Sequence, residues 1–323
     1  MRAAVCHKYG APEVVRVEDI PTPQPKAGEV LIRVRATTVT AADWRVRSLS
    51  MPRGFGAFGR LAFGLCGPRK KVLGMALAGE ISACGEGVTG FDVNDRVLAD
   101  CGAKMGAHAE YCVVKAERAL AKMPDALGFE DAAALVFGGT TALYFLQNFG
   151  EIQPHERVLV NGASGETGVA FVQLARHFGA SVVGVCRAGN ADLVRGLGAT
   201  RAVDYTQEDF ARSGEKYDII VDTVGNAGWA RSNGALKDGG RLLLVLAGLT
   251  EMIKAPFVSR RGGRKALAGE AKPTAADLVF LADLAVKGSF KPVISQIFEL
   301  KDIVEAHRLV DGGHKVGSVV VRI

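Results

Sequence analysis

Between Arg157 and Phe178 the chain runs from an apolar strand, Arg157 to Asn161, through Gly162-Ala163-Ser164-Gly165-Glu166-Thr167-Gly168 into an amphipathic helix from Val169 to Phe178. Glycines at three-residue spacing between a strand and a helix leave few architectures open. Gly162 permits the tight turn, Gly165 lets a bound group approach the main chain, and Gly168 lets the helix close on the sheet. The free N–H groups at the helix start would then face an anion. The order differs from G-x-G-x-x-G, so the spacing taken alone is also compatible with a purely structural turn.

The surrounding grammar decides in favour of a binding turn. Strand Ser181 to Cys186, helix Ala191 to Leu197, strand Arg201 to Val203, strand Tyr217 to Asp222, helix Trp229 to Leu236 and strand Arg241 to Leu246 follow in order. Such alternation predicts an α/β, doubly wound parallel sheet of the Rossmann kind, with a dinucleotide on the glycine turn. Helix Asp131 to Phe149, stopped by Gly150, leads into it. Before it, Arg2 to Cys6, Val14 to Val17, Glu29 to Thr38, Gly79 to Cys84 and Asp95 to Ala99 read as short strands divided by glycine and proline turns. That pattern predicts a mainly antiparallel barrel or sandwich. Leu49 to Lys71 is an apolar excursion, either a cover over a pocket or a packed surface segment. Helices Ala275 to Val286 and Lys301 to Leu309 and strand Val316 to Ile323 close the chain, capping the parallel sheet or packing back on the first domain.

At 323 residues and 48% hydrophobic content, two domains are expected. The net charge of +6 is spread along the chain. Its denser clusters, Arg69-Lys70-Lys71 and Arg260, Arg261, Arg264 and Lys265, lack interleaved aromatics or a recognition module, so they read as solvated loops, with no nucleic acid as partner. No run of 18 apolar residues and no secretory h-region occur, which predicts no membrane partner and a cytoplasmic protein. The six cysteines show no paired spacing, so reduced thiols and no structural zinc are expected.

Cofactor choice should be set at the end of the second parallel strand. An acid there accepts from a ribose 2'-hydroxyl and rejects a 2'-phosphate. Here Val185-Cys186-Arg187-Ala188-Gly189-Asn190 carries no acid, and Arg187 suits a phosphate, which favours NADPH. Tyr205 either closes the adenosine side or is a core residue. Glu166 would repel a diphosphate, so its side chain should point outward, while Thr167 offers a hydroxyl inward. Asp222-Thr223-Val224-Gly225 and Leu246-Ala247-Gly248 would bring main chain beside the cofactor. His108, His155 and His177 are far apart in sequence and read as surface or hydrogen-bonded residues, so no metal is expected. Carbonyl polarisation would then fall to donors such as Thr40, Tyr111 or a backbone N–H.

Ordered motifs along nearly the whole chain carry a family resemblance. They include Ala42-Asp43-Trp44-Arg45, Ala78-Gly79-Glu80, Gly85-Glu86-Gly87-Val88-Thr89, Asn94-Asp95-Arg96-Val97, Ala109-Glu110-Tyr111, Gly138-Gly139-Thr140-Thr141-Ala142, Lys237-Asp238-Gly239-Gly240 and Gly313-His314-Lys315-Val316-Gly317. With these the chain resembles the zinc-independent branch of the medium-chain dehydrogenase/reductase superfamily, close to the quinone oxidoreductases. The resemblance implies a GroES-like barrel in residues 1–124, a Rossmann domain in 125–272 and a return to the barrel in 273–323, with a cleft between the domains and a homodimer. It implies hydride delivery from NADPH to a small electrophile: a quinone, an α,β-unsaturated carbonyl or a reactive aldehyde. Zinc-containing relatives carry a cysteine near Ala41 or Ala42 and Gly-His-Glu where this chain reads Gly74-Met75-Ala76.

The departures are Thr40 for a common asparagine, Asn94 for glycine, Glu166-Thr167 for Gly-Val, and Ser318 for lysine. Ala266 to Lys272 is also less apolar than the family strand that often supports the dimer. The candidate catalytic residues are thus Thr40, Asp43 and Tyr111. The candidate cofactor residues are Thr141, Gly162, Ser164, Gly165, Glu166, Thr167, Gly168, Cys186, Arg187, Asn190, Tyr205, Val224, Leu246 and Lys315. A zinc-dependent alcohol dehydrogenase and an NADPH-binding sensor without turnover are the competing readings.

Overall fold

The computed structural model describes residues 1–52, 54–258 and 263–323, apart from the side chains of Ala57 and Phe58. Arg260 and Arg261 of the second basic cluster lie outside the described residues. Contacts divide the chain into two compact units, Met1–Met51 with Gly56–Thr140 and Pro273–Ile323, and Pro52–Phe55 with Thr141–Lys272.

In the first unit, β1 (Arg2–Cys6) and β2 (Val15–Asp19) form an antiparallel pair, and β3 (Glu29–Val39) begins a larger sheet. Helix α1 (Ala41–Ser48) follows, and a second helix, α2 (Gly56–Phe63), lies within the apolar excursion. Then come β4 (Ala76–Cys84), β5 (Arg96–Asp100), β6 (Tyr111–Lys115) and β7 (Leu120–Lys122). Strand β3 is long enough to take β6 along Glu29–Arg33 and leave Ala36–Val39 for another partner, while β4 lies on its other side. Register shifts at Leu31/Ile32 and Val34/Ala36 bend it, as curvature of a barrel wall requires. Inside pack Val30, Ile32, Val34, Leu77, Ile81, Val97 and Leu120.

Helix α3 (Phe129–Tyr144), within which the contact division falls, ends in a π turn at Phe145–Phe149. The second unit holds β8 (Arg157–Asn161), α4 (Glu166–His177), β9 (Ser181–Cys186), α5 (Ala191–Gly196), β10 (Arg201–Asp204), β11 (Tyr217–Asp222), α6 (Trp229–Ser232), β12 (Leu236–Leu244), α7 (Leu249–Val258) and β13 (Lys265–Ala268). Every pairing is parallel, in the order β10-β9-β8-β11-β12-β13. Renumbered within the sheet this is 3-2-1-4-5-6, the doubly wound dinucleotide order, whose direction reverses between β8 and β11. The helix expected over Trp229 to Leu236 is shorter: α6 passes into a 3-10 turn at Asn233–Ala235, and Leu236 already belongs to β12.

The chain then returns to the first unit through α8 (Ala275–Val286), β14 (Ile294–Glu299), α9 (Ile303–Asp311) and β15 (Ser318–Arg322). Strand β15 fills the open half of β3, pairing Val319 with Val39 and Arg322 with Ala36, and β14 adds outside it. The alternative left open by sequence, a cap on the parallel sheet, is thereby excluded. Val39, Ile303, Ala306, Val310, Val319 and Val321 share one buried cluster, so the chain's end contributes core as well as hydrogen bonds. No helix among the described residues is long and apolar enough to cross a membrane.

Candidate active site

In the second unit the carboxyl ends of β8 and β11 lie side by side, with Asn161 level with Asp222. Asp222 is buried and accepts from the backbone N–H of Val224 and Gly225 at 3.0 Å, from Ala227 at 2.8 Å and from Asn161 Nδ2 at 2.9 Å. Four donors on one carboxylate fix the turn Thr223-Val224-Gly225 against the glycine turn. Gly162 has φ 84°, and a Cβ there would lie 2.5 Å from Thr223 Oγ1 and 2.6 Å from a Val224 methyl. Gly168 is equally constrained, since its Cβ would sit 2.0 Å from the Gly162 carbonyl oxygen.

Gly165 differs. Its φ is −74°, it caps α4 with no side-chain acceptor, and a Cβ there would meet nothing closer than 3.5 Å. The N–H groups opening α4 therefore have no side-chain cap beside open space, which fits an incoming anion. Beside this turn, Asn190 Nδ2 donates to Ser164 Oγ at 3.1 Å. The exposed Arg187 donates from Nε to the Tyr205 hydroxyl at 2.7 Å, with Tyr205 49% exposed. Among the described residues no carboxylate pairs with Arg187. Asp204, level with Cys186 on the next strand, is engaged by Thr206 through its N–H at 3.0 Å and its hydroxyl at 2.9 Å. Cys186 is itself buried, Val224 is 47% exposed, and Leu246 follows β12 with its side chain against Gly225.

One expectation fails. Glu166 does not point outward but is buried at 7% exposure among the first residues of α4. An acid in the first turn of a helix is favoured by the positive end of its dipole, which offsets part of the cost of that burial. Thr167 is half-buried beside it, and Thr141 is half-buried on α3.

In the first unit Thr40 and Asp43 come together as the capping box of α1. Asp43 Oδ2 accepts from Thr40 N–H at 2.8 Å and from Thr40 Oγ1 at 2.7 Å, and Oδ1 accepts from the Gly74 N–H at 2.8 Å. Both residues are fully buried. Tyr111 opens β6, level with Arg33 of β3 and half-buried, and is not bonded to either. Lys315 is half-buried in the turn before β15, and its Nζ donates to the Gly317 carbonyl at 3.0 Å.

His108 is buried with Nε2 at 2.9 Å from the Thr38 carbonyl and its ring 5.8 Å from that of His307. His307, fully buried, has neither ring nitrogen hydrogen-bonded. Burial, with His108 and Arg47 nearby, holds its imidazole well below the ordinary value of 6.5. Sequence reasoning passed over His307, although Ile303, Ala306, His307 and Val310 recur at helical spacing and put the histidine on the apolar face of α9. The other histidines weighed for a metal, His155 and His177, are exposed residues of the second unit. Among the described residues no group of three or more His, Cys, Asp or Glu is placed to hold a metal ion.

A parallel sheet in dinucleotide order with no side-chain cap on the helix at its switch point, on a chain whose other unit is a mainly antiparallel sheet completed by its own C-terminal strands, is an architecture suited to binding a dinucleotide. Residues 26–125 match the alcohol dehydrogenase GroES-like domain and residues 197–321 match a family described as zinc-binding dehydrogenase. A quinone oxidoreductase of Pseudomonas aeruginosa is 30% identical, over 97% of this chain and 97% of that protein. A 2-methylene-furan-3-one reductase of Solanum lycopersicum is 30% identical, over 99% of this chain and 79% of that one. The crystal structure of Escherichia coli quinone oxidoreductase complexed with NADPH superposes with a TM-score of 0.85 at 25% identity, covering 100% of both chains. The chain belongs to the quinone oxidoreductase-like group of the medium-chain dehydrogenase/reductase superfamily, whose members are NAD(P)H-dependent oxidoreductases.

Proposed function

We propose that this chain is an NADPH-dependent oxidoreductase that reduces a quinone, an α,β-unsaturated carbonyl or a reactive aldehyde without zinc. The observation that carries the cofactor reading is the end of β9, where exposed Arg187 is aligned by Tyr205 and no acid follows Cys186. A guanidinium held there would pair with a 2'-phosphate, while the N–H groups opening α4 would take the diphosphate. The NADPH complex of the Escherichia coli relative supports the same reading. When bound, the dihydronicotinamide supplies the hydride.

The chain's own part is to align and to donate hydrogen bonds. Thr40 gives its hydroxyl hydrogen to Asp43, so its first task is to cap α1. Tyr111 has no hydroxyl partner among the described residues, which makes it the more available donor to a substrate oxygen or carbanion. Ala41 or Ala42, and Met75 and Ala76, stand where zinc-containing relatives place or flank ligands, and none of these side chains binds zinc as a cysteine, histidine or carboxylate would. The homodimer belongs to the same reading, and β13 stands last in the strand order of the parallel sheet.

Anaerobic stopped-flow mixing of the NADPH-loaded protein with quinones, enones and aldehydes tests the activity. Acceptor-dependent loss of NADPH absorbance is expected in protein carrying no zinc by elemental analysis. Tight NADPH binding with no acceptor accelerating its oxidation would sink the proposal, and one zinc per active chain would replace it with an alcohol dehydrogenase.

A further inference from the structure

Cys101 and Cys112 are eleven positions apart, and the fold of the first unit brings their sulfur atoms to 3.9 Å. Cys101 directly follows β5 and donates its N–H to the Met75 carbonyl, while Cys112 is the second residue of β6. Their Sγ atoms form a thiol–thiol contact at the base of the 102–110 loop. A disulfide has a bond of about 2.0 Å, so closing the gap takes roughly 2 Å of combined movement. The intervening segment is tightly turned, with Gly102 at φ 52°, Met105 at φ 54° and Gly106 at φ 108°.

Half-buried Cys101 lines a small surface cavity of about 70 Å³ together with Lys104, Lys115, Arg118 and Pro273. Three cations and one carboxylate, Asp100, stand on its wall. Buried Cys112 lies behind it, among the residues of a second cavity.

We propose that Cys101 and Cys112 form a peroxide-sensitive dithiol that closes to an intramolecular disulfide. The Cys101 thiolate attacks the O–O bond of a hydroperoxide. That bond breaks, the peroxide is reduced to water or an alcohol, and Cys101 becomes a sulfenic acid. Cys112 sulfur then attacks Cys101 Sγ, forming the S–S bond, while the S–O bond breaks and its oxygen leaves as water with the Cys112 proton. The thiol pair loses two electrons and the peroxide gains them. An external dithiol reverses the change.

The contact with Cys112, followed by burial, pushes the Cys101 thiol well up. Oxidation should therefore quicken steadily as pH rises through the alkaline range, since only the thiolate reacts.

The test is to titrate the full chain with hydrogen peroxide, remove the oxidant, unfold in guanidinium with N-ethylmaleimide and map the peptides by mass spectrometry. A Cys101–Cys112 linked peptide lighter by two hydrogens, with both sites lost to alkylation and restored by dithiothreitol, is expected. Exposed Cys66 and Cys84 gauge the dose. The proposal is overturned if both cysteines remain alkylated at doses that oxidise Cys66, or if Cys101 advances to the sulfinic acid while Cys112 stays free. In Cys112→Ser the linked peptide must vanish and Cys101 sulfenic acid must accumulate to dimedone labelling. Should that variant fail to fold, the wild-type map still decides.

Discussion

Gly165 and Gly168 sit three positions apart in one turn, and their surroundings assign them different work. At Gly168 an added Cβ would press on the Gly162 carbonyl at 2.0 Å, where only backbone can give. Gly168→Ala should cost about 1–3 kcal/mol and lower the melting temperature. Gly165 has a φ that any residue adopts and room for a methyl group. Gly165→Ala should keep the wild-type melting curve yet bind NADPH at least tenfold more weakly by fluorescence titration. Unchanged affinity in a folded Gly165→Ala protein would remove the phosphate from this turn. Arg187→Ala deletes a charge-assisted partner worth roughly 1.5–3 kcal/mol. It should raise the dissociation constant for NADPH about 10- to 100-fold and leave NADH nearly unaffected, and equal losses would refute the 2'-phosphate assignment.

At the scale of elements, legibility followed how local the cause of each element is. Strands Arg157–Asn161, Ser181–Cys186 and Tyr217–Asp222 and helix Ala275–Val286 were read to the residue, because each is an apolar run with clear boundaries. Helix α1 was not read as a helix, although Thr40-x-x-Asp43 is a capping signal: Asp43-Trp44-Arg45-Val46-Arg47 has no apolar periodicity, and the helix stands on its cap. Thr40→Val should lower stability by about 1–2 kcal/mol in urea unfolding and leave kcat within a fewfold, whereas a hundredfold drop in kcat at unchanged stability would make Thr40 part of the chemistry. Strand β14 escaped notice because most of it is exposed and its pairing is wholly long-range. Asn94, a departure from the family's glycine, proves conservative in conformation: it holds φ 73°, in the left-handed region that asparagine tolerates best after glycine. The glycine turn and the strand ends beside it were legible because they follow one another in order along the chain. The Cys101–Cys112 contact depends on tertiary packing that spacing does not encode.

Across the first unit as a whole, the chain's two ends are joined by charge as well as by core. Arg47 of α1 is fully buried and donates to the Gly10 carbonyl and to both carboxylate oxygens of Asp311, at the end of α9. His307, one turn earlier on α9, lies near this guanidinium and against His108. The folded protein keeps His307 neutral, whereas the unfolded chain protonates it near its ordinary value. The unfolded state therefore binds more protons in acid, and stability present above about pH 6.5 is lost as pH falls. The loss approaches about 1.4 kcal/mol per pH unit for this one group. Carboxylates such as Asp218, held below their usual range, add their own losses only at lower pH. Urea midpoints should thus fall between pH 6.5 and 5, and His307→Leu should flatten that stretch; an unaltered slope would show that His307 is not its source.

The placement of β15 between β3 and β14 also bears on time. A chain leaving the ribosome N-terminus first exposes β3 long before its partner exists, and some 280 residues separate Val39 from Val319. Every strand of the second unit's sheet has been made by Ala268, so that sheet can assemble while the first barrel still has an open edge. Synthesis order thus makes the nucleotide-binding unit the first finished part of the molecule and leaves the barrel dependent on its last strand.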